Sequence, residues 1–152
     1  MMTSTLQGRV QPGKGDASHW LALFNAAYSQ KLGGPVYPGS LNLALQHPFN
    51  WFDPALEPHL IWFGRQAYGG ERDILFLPCE LQVPDRRRAW LWTPTTAARS
   101  RTDPWVIELV SDVRLRDAYG LVDGSVLGLT LRLGADDVGS PRAGGAVCPV
   151  AE

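Results

Sequence analysis

The chain has 152 residues, with 14 Lys and Arg against 15 Asp and Glu, and 45% of its residues are hydrophobic. That is one domain's worth of sequence, too apolar for a disordered chain and too balanced in charge for electrostatic capture of nucleic acid or an acidic membrane. Sixteen glycines and 12 prolines, about half again the usual share, argue against a helical bundle and for many short strands.

In chain order, residues 1–5 are polar. Leu6, Gly8 and Val10 alternate with Gln7 and Arg9, which predicts a strand. Gln11 to Asp16 is a tight Pro- and Gly-rich loop. From Trp20 to Leu32 the positions Trp20, Leu21, Phe24, Ala27, Tyr28 and Leu32 recur at helical spacing, and Gly33-Gly34-Pro35 stops the helix. After the Pro38-Gly39 turn, Leu41, Leu43 and Leu45 alternate as a strand. Residues 46–58 read as loop. Further strand signals fall at 59–63, 74–83, 89–93, 105–110 and 125–133. Gly69-Gly70, Pro84-Asp85 and Asp123-Gly124 read as hairpin-like turns between them. Residues 113–119 suit one helical turn. From Gly134 the periodicity ends, which predicts a barrel domain over 1–133 and a loose tail over 134–152. About six short strands with one helix in the first third predict a mainly β fold, a small antiparallel barrel.

Other features narrow the class. Cys79 and Cys148 form no C-x-x-C pair, and His19, His47 and His59 are scattered, so no zinc pattern is present. The chain shows no apolar signal-peptide core and no apolar run of membrane-spanning length. The expectation is a cytoplasmic protein with reduced thiols and no nucleic-acid or membrane partner.

Four signals carry chemistry. The Pro12-Gly13-Lys14-Gly15 loop follows a strand, and its glycines let backbone amides approach a phosphate beside a lysine; it is equally an ordinary glycine-rich turn. In Pro38-Gly39-Ser40-Leu41-Asn42, a hydroxyl and an amide two apart in extended chain face one side. Two neutral oxygens suit a Mg²⁺ held mainly by phosphates, although a turn with a solvated Asn42 fits as well. Glu108 lies in Val106-Ile107-Glu108-Leu109-Val110, apolar on both faces, where a carboxylate needs donors or an edge position. Residues 86–116 are locally basic. There Arg114 and Arg116 suit a phosphate, while Arg86 to Arg88 read as a solvated hairpin tip. Six tryptophans are mostly core material; one or two are candidates to stack on a flat ring, and their spacing does not say which.

The order of the motifs is informative. Gly8-x-Val10…Gly13-x-Gly15, then PGSLN at 38–42, the Val106–Val110 strand, Val113-Arg114-Leu115-Arg116, and Leu121-Val122-Asp123-Gly124 together resemble the CTP-dependent riboflavin kinases, best known from archaea. The resemblance covers roughly residues 6–133. It implies a six-stranded cradle-loop β-barrel with one or two short helices, and transfer of the terminal phosphate of CTP to the 5′-hydroxyl of riboflavin, giving FMN and CDP. It implies that Gly13, Lys14, Gly15, Asp16, Ala17, Ser18 and His19, with Val113, Arg114, Leu115 and Arg116, bind the nucleotide. It further implies that Ser40 and Asn42 form the catalytic Mg²⁺ site and that Thr102 and Glu108 contact the flavin. The chain departs from the family pattern at Ser40, where threonine is usual, at Ala17, often a third glycine, and at Ser111-Asp112, usually Ala-Pro. The competing expectations are a degenerate barrel that binds flavin or nucleotide without turnover, and a small-barrel interaction module. Retention of Ser40 and Asn42 argues against the first and the charge balance against the second.

Overall fold

The structure is a computed structural model, and it describes residues 4–13, 16–70, 72–95 and 104–133. The elements are β1 (Ser4–Gln11), α1 (Asp16–Leu23), α2 (Asn25–Leu32), β2 (Leu41–Leu45), a 3-10 turn (Glu57–His59), β3 (Ile61–Phe63), α3 (Arg65–Tyr68), β4 (Ile74–Leu81), β5 (Arg88–Pro94), β6 (Val106–Val110), α4 (Leu115–Tyr119) and β7 (Val126–Leu131). The strand order is β3-β4-β5-β6-β2-β1-β7, with β7 also pairing to β4, so six strands close into a barrel and β3 lies outside the ring. Closure depends on the length of β4. Its first residues, Ile74 to Phe76, pair with β3, and its last, Cys79 to Leu81, pair with β7. Every pairing is antiparallel.

Successive side chains of a strand point to opposite faces, and here both faces of several strands are buried. Leu75, Leu77, Leu81, Leu91, Leu43 and Leu109 fill the barrel. Phe76, Trp90, Trp92 and Val110 point outward and are covered by Leu21, Tyr28 and Leu32 of α1 and α2. The helices thus close a second apolar layer over the outer face of β4, β5 and β6.

Three local expectations are corrected. The single helix over 20–32 begins at Asp16 and is divided at Phe24, whose φ of −108° and ψ of 24° leave the helical region. The backbone bonds Phe24 N–H to Trp20 O and Tyr28 N–H to Phe24 O still carry the turn across the break. Gly69-Gly70 is not a hairpin turn. Gly69, at φ 84°, caps α3 in the left-handed region, where glycine has no Cβ to clash. Asp73 Oδ1 accepts the Arg65 N–H at 2.8 Å across the base of that excursion. Asp123-Gly124 joins α4 to β7 and not one strand to its paired neighbour; Gly124, at φ 91°, donates its N–H to Val10 O at 2.7 Å and so seats the turn on β1. The turn around Pro84-Asp85 does join two paired strands, β4 and β5. No helix among the described residues is long and apolar enough to cross a membrane.

Candidate functional site

The antiparallel register sets Gln11 of β1 opposite Asn42 of β2, and Asn42 opposite Glu108 of β6. Leu41, Leu43 and Leu45 take the inward positions, so Asn42 faces outward by the alternation of the strand. Ser40, two residues earlier, donates its hydroxyl to Glu108 Oε1 at 2.7 Å. The half-buried carboxylate thereby has a donor from a residue 68 positions away, which answers the cost of placing a charge in this apolar strand. Gly13 lies against Asn42: a Cβ there would come within 2.8 Å of the amide oxygen. Glycine therefore leaves room for the Asn42 amide. Gly13, Ser40, Asn42 and Glu108, from three separate motifs, occupy one patch on the outer face of the barrel.

Next to this patch is a cavity of about 160 Å³. Ser18 of α1, the turn from Tyr37 to Ser40, Ser111 and the segment Val113 to Arg116 line it. Arg114 is the N-cap residue of α4 and Arg116 lies in its first turn, so the two side chains diverge. Arg114 pairs with Asp117 at 2.6 Å. Arg116 pairs with Asp123 at 2.7 Å and also donates to Gln11 O at 3.4 Å. Asp123, assigned no chemistry in the sequence reading, is the residue that orients Arg116; its signal was the L-x-D-G motif itself. Leu115 lines the cavity from below and belongs to the barrel core. His19 sits on α1, edge-to-face with Trp20 at 4.8 Å, away from the cavity lining. Asp16 and Ala17 fall at the start of α1. Lys14, Gly15 and Thr102 lie outside the described residues.

The basic run is not simply a solvated tip. Arg86 is exposed and pairs with Glu80 at 3.2 Å. Arg87 is three-quarters covered and bonds Asp112 and the Tyr119 hydroxyl, each at 2.6 Å. It ties the β4–β5 turn to α4 and pairs with the acid that departs from the family pattern beside the cavity.

Two neutral oxygens, the Ser40 hydroxyl and the Asn42 amide, fit a Mg²⁺ that phosphates and water mainly coordinate. The serine hydroxyl points its hydrogen at Glu108, which leaves the oxygen's lone pairs for a cation. No group of three or more His, Cys, Asp or Glu side chains is gathered for a metal among the described residues.

The arrangement yields a prediction for Arg116. Its pair with Asp123 is largely exposed on the aspartate side, so the pair is worth at most about 1 kcal/mol of stability. The resemblance assigns Arg116 a nucleotide phosphate, and a hydrogen bond to such a charged group would be worth more. Arg116→Ala is expected to weaken nucleotide binding by about 1–3 kcal/mol with little change in melting temperature. Titration calorimetry with the triphosphate reads this directly, and equal affinity in the two proteins rejects the role.

No family model matches the chain. It is similar to the riboflavin kinase of Methanocella arvoryzae, 29% identical over 128 residues, which covers 83% of this chain and 56% of that protein. It is also similar to the riboflavin kinase of Pyrobaculum aerophilum, 29% identical over 140 residues, covering 84% of this chain and 60% of that one. The chain thus spans little more than half the length of these curated relatives.

Proposed function

We propose that the protein phosphorylates riboflavin to FMN, with CTP as donor and Mg²⁺ as the bound cation. In the transfer, the riboflavin 5′-oxygen forms a bond to the terminal phosphorus, its hydroxyl proton passes to solvent, and the bond to the bridging oxygen breaks, releasing CDP. Such transfers need positioning and charge neutralisation more than a strong base. The observation that carries the reading is the meeting of Ser40, Asn42, Gly13 and Glu108 on one patch, beside a cavity lined by Arg114 and Arg116. These residues come from the motifs whose order resembles that of the CTP-dependent kinases, and the similarity to two proteins named riboflavin kinase supports the same activity.

In this reading Ser40 and Asn42 would hold the cation, and it would supply neutralisation of phosphate charge. Arg116, oriented by Asp123, binds a phosphate oxygen. The resemblance assigns Gly13 to His19 to the phosphates, with Ser18 the member of that stretch that lines the cavity, and Val113 to Arg116 to the nucleotide pocket. Glu108 accepts the hydrogen bond of the Ser40 hydroxyl and contacts the flavin, together with Thr102. The test is an incubation of purified protein with riboflavin, Mg²⁺ and each of four nucleoside triphosphates, with FMN separated by chromatography. FMN formed fastest with CTP is the expected result. FMN formed faster with another nucleotide rejects the donor assignment, and no FMN with any nucleotide rejects the kinase.

A further inference from the structure

The turn between β4 and β5 reaches across to the segment that lines the cavity beside Ser40, and it grips that segment at both ends. At the near end, the buried Ser111 donates its hydroxyl to Arg88 O at 2.7 Å. The next residue, Asp112, accepts from Arg87 Nη1 at 2.6 Å. At the far end stands Tyr119, the last residue of α4. Its oxygen accepts from Arg87 Nε at 2.6 Å, and its hydroxyl donates to Asp85 Oδ1 at 2.7 Å. Arg87 Nη2 meets the other oxygen of Asp85 at 3.3 Å, which closes a ring of three side chains. One guanidinium thus holds the residues just before and just after the stretch from Val113 to Ala118. The turn that presents it is strained: Arg86 takes a φ of 51°, a region uncommon for a residue that carries a Cβ.

These ties contribute little to holding the fold together. The Asp85 and Asp112 side chains are 53% and 46% exposed, and ion pairs so open to water add little stability. What they fix is direction. The barrel core already anchors the middle of the segment through the buried Leu115. A single apolar anchor lets a short helix pivot about it. Two ties at its ends, set in length and direction by one planar guanidinium, do not. Arg116 is the neighbour of that anchor, so the aim of its side chain follows the pitch of α4. The hydrogen bond from Tyr119, helped by the charge of Arg87, holds the Asp85 carboxyl below its ordinary range, so this acceptor stays ionised at neutral pH.

We propose that Arg87, through Asp112 and Tyr119, positions α4 so that Arg116 meets the nucleotide phosphate. Arg87 lies outside the cavity lining and touches no ligand in this assignment; it is a positioning residue. The inference rests on the nucleotide reading above and adds the device that sets the site from behind. Asp112, one of the two ties, stands where the chain departs from the family pattern. The requirement is for arginine in particular. Its fork reaches Asp112, Tyr119 and Asp85 with three different nitrogens, whereas a lysine is a point charge on a flexible stem and cannot span both ends of the segment.

The experiment measures CTP affinity by titration calorimetry and riboflavin affinity by fluorescence, beside a thermal melt. The variants are Arg87→Lys and Tyr119→Phe, each alone and each combined with Arg116→Ala. Lysine keeps the charge and loses the fork. Phenylalanine keeps the partly buried ring and loses the hydroxyl, and it carries the test where Arg87→Lys fails to fold. Each single variant is expected to weaken CTP binding about fivefold to tenfold, with riboflavin affinity unchanged. In the Arg116→Ala background the same change is expected to alter CTP affinity by less than about twofold, because residues that act through one contact are not additive. CTP affinity equal to wild type in a folded single variant overturns the proposal. So does an undiminished loss in the Arg116→Ala background, which would make the ties independent of Arg116. A parallel loss of CTP and riboflavin affinity with early melting overturns it too, since the ties would then serve the fold. The readings separate. Wild-type CTP binding that is indifferent to Arg87 and Tyr119 rejects the positioning alone. Coupling to Arg116 with no FMN from any nucleotide rejects the kinase alone. A wild type that binds no nucleoside triphosphate rejects the nucleotide reading and the positioning with it.

Discussion

Asn42→Ala is expected to lower the rate of FMN formation by a hundredfold or more, the scale of losing one preorganised electrostatic stabiliser. The amide faces outward from β2, and the backbone pairing of Asn42 to Gln11 and Glu108 survives truncation of the side chain. Stability should therefore move by less than about 1 kcal/mol, as for a substitution outside the core. The void beside Gly13 opens to solvent and leaves no apolar cavity. Single-turnover formation of FMN, run beside a thermal melt of the same variant, measures both quantities. A rate equal to wild type would reject Asn42 as a ligand of the proposed cation. A large fall in melting temperature would instead assign the residue to the fold.

The largest effect on stability is expected at Phe76. Its ring is fully buried on the outer face of β4, edge-on to Tyr28 at 5.7 Å, and it joins the helical layer to the barrel. Phe76→Ala removes that ring and leaves a cavity the surrounding strands cannot fill, which costs about 3–5 kcal/mol. Domains of this kind have roughly 5–15 kcal/mol in total, so the loss is a large share of the reserve. In a chain of this size it lowers the melting temperature by roughly 6–20 °C. Urea titration gives the free energy directly. A loss below about 1 kcal/mol would mean that α1 and α2 are anchored elsewhere. The candidate site is tied to this layer, since α1 carries Ser18 to the cavity beside Ser40.

Much of this architecture follows from local pattern. The alternation of Leu41, Leu43 and Leu45 predicts β2, and the recurrence of Leu21, Phe24, Tyr28 and Leu32 predicts the helical layer, because side-chain periodicity is a property of neighbouring residues. The same alternation put Ser40 and Asn42 on one side of an extended segment before any fold was known. Glu108 was conspicuous as a charge in an apolar strand, but whether it met solvent or a donor was open. That answer belongs to the pairing of β2 with β6, which brings Ser40 to 2.7 Å from a carboxylate 68 residues on.

Closure of the barrel was equally non-local. It depends on β4 being long enough to pair with β3 at one end and β7 at the other. The turn residues misled where context outweighed composition: Gly69 caps a helix and Gly124 seats a turn on β1, although both sit in Gly-containing pairs typical of hairpins. Asp123 acquired a role only when α4 brought Arg116 to it. Composition showed that the tryptophans were numerous, while only packing buried Trp90 and Trp92 beneath the helical layer. Spacing along the chain specifies which way a side chain faces; what it faces is set by strand pairing and by the closure of two apolar layers, and those are decided by burial across the whole domain.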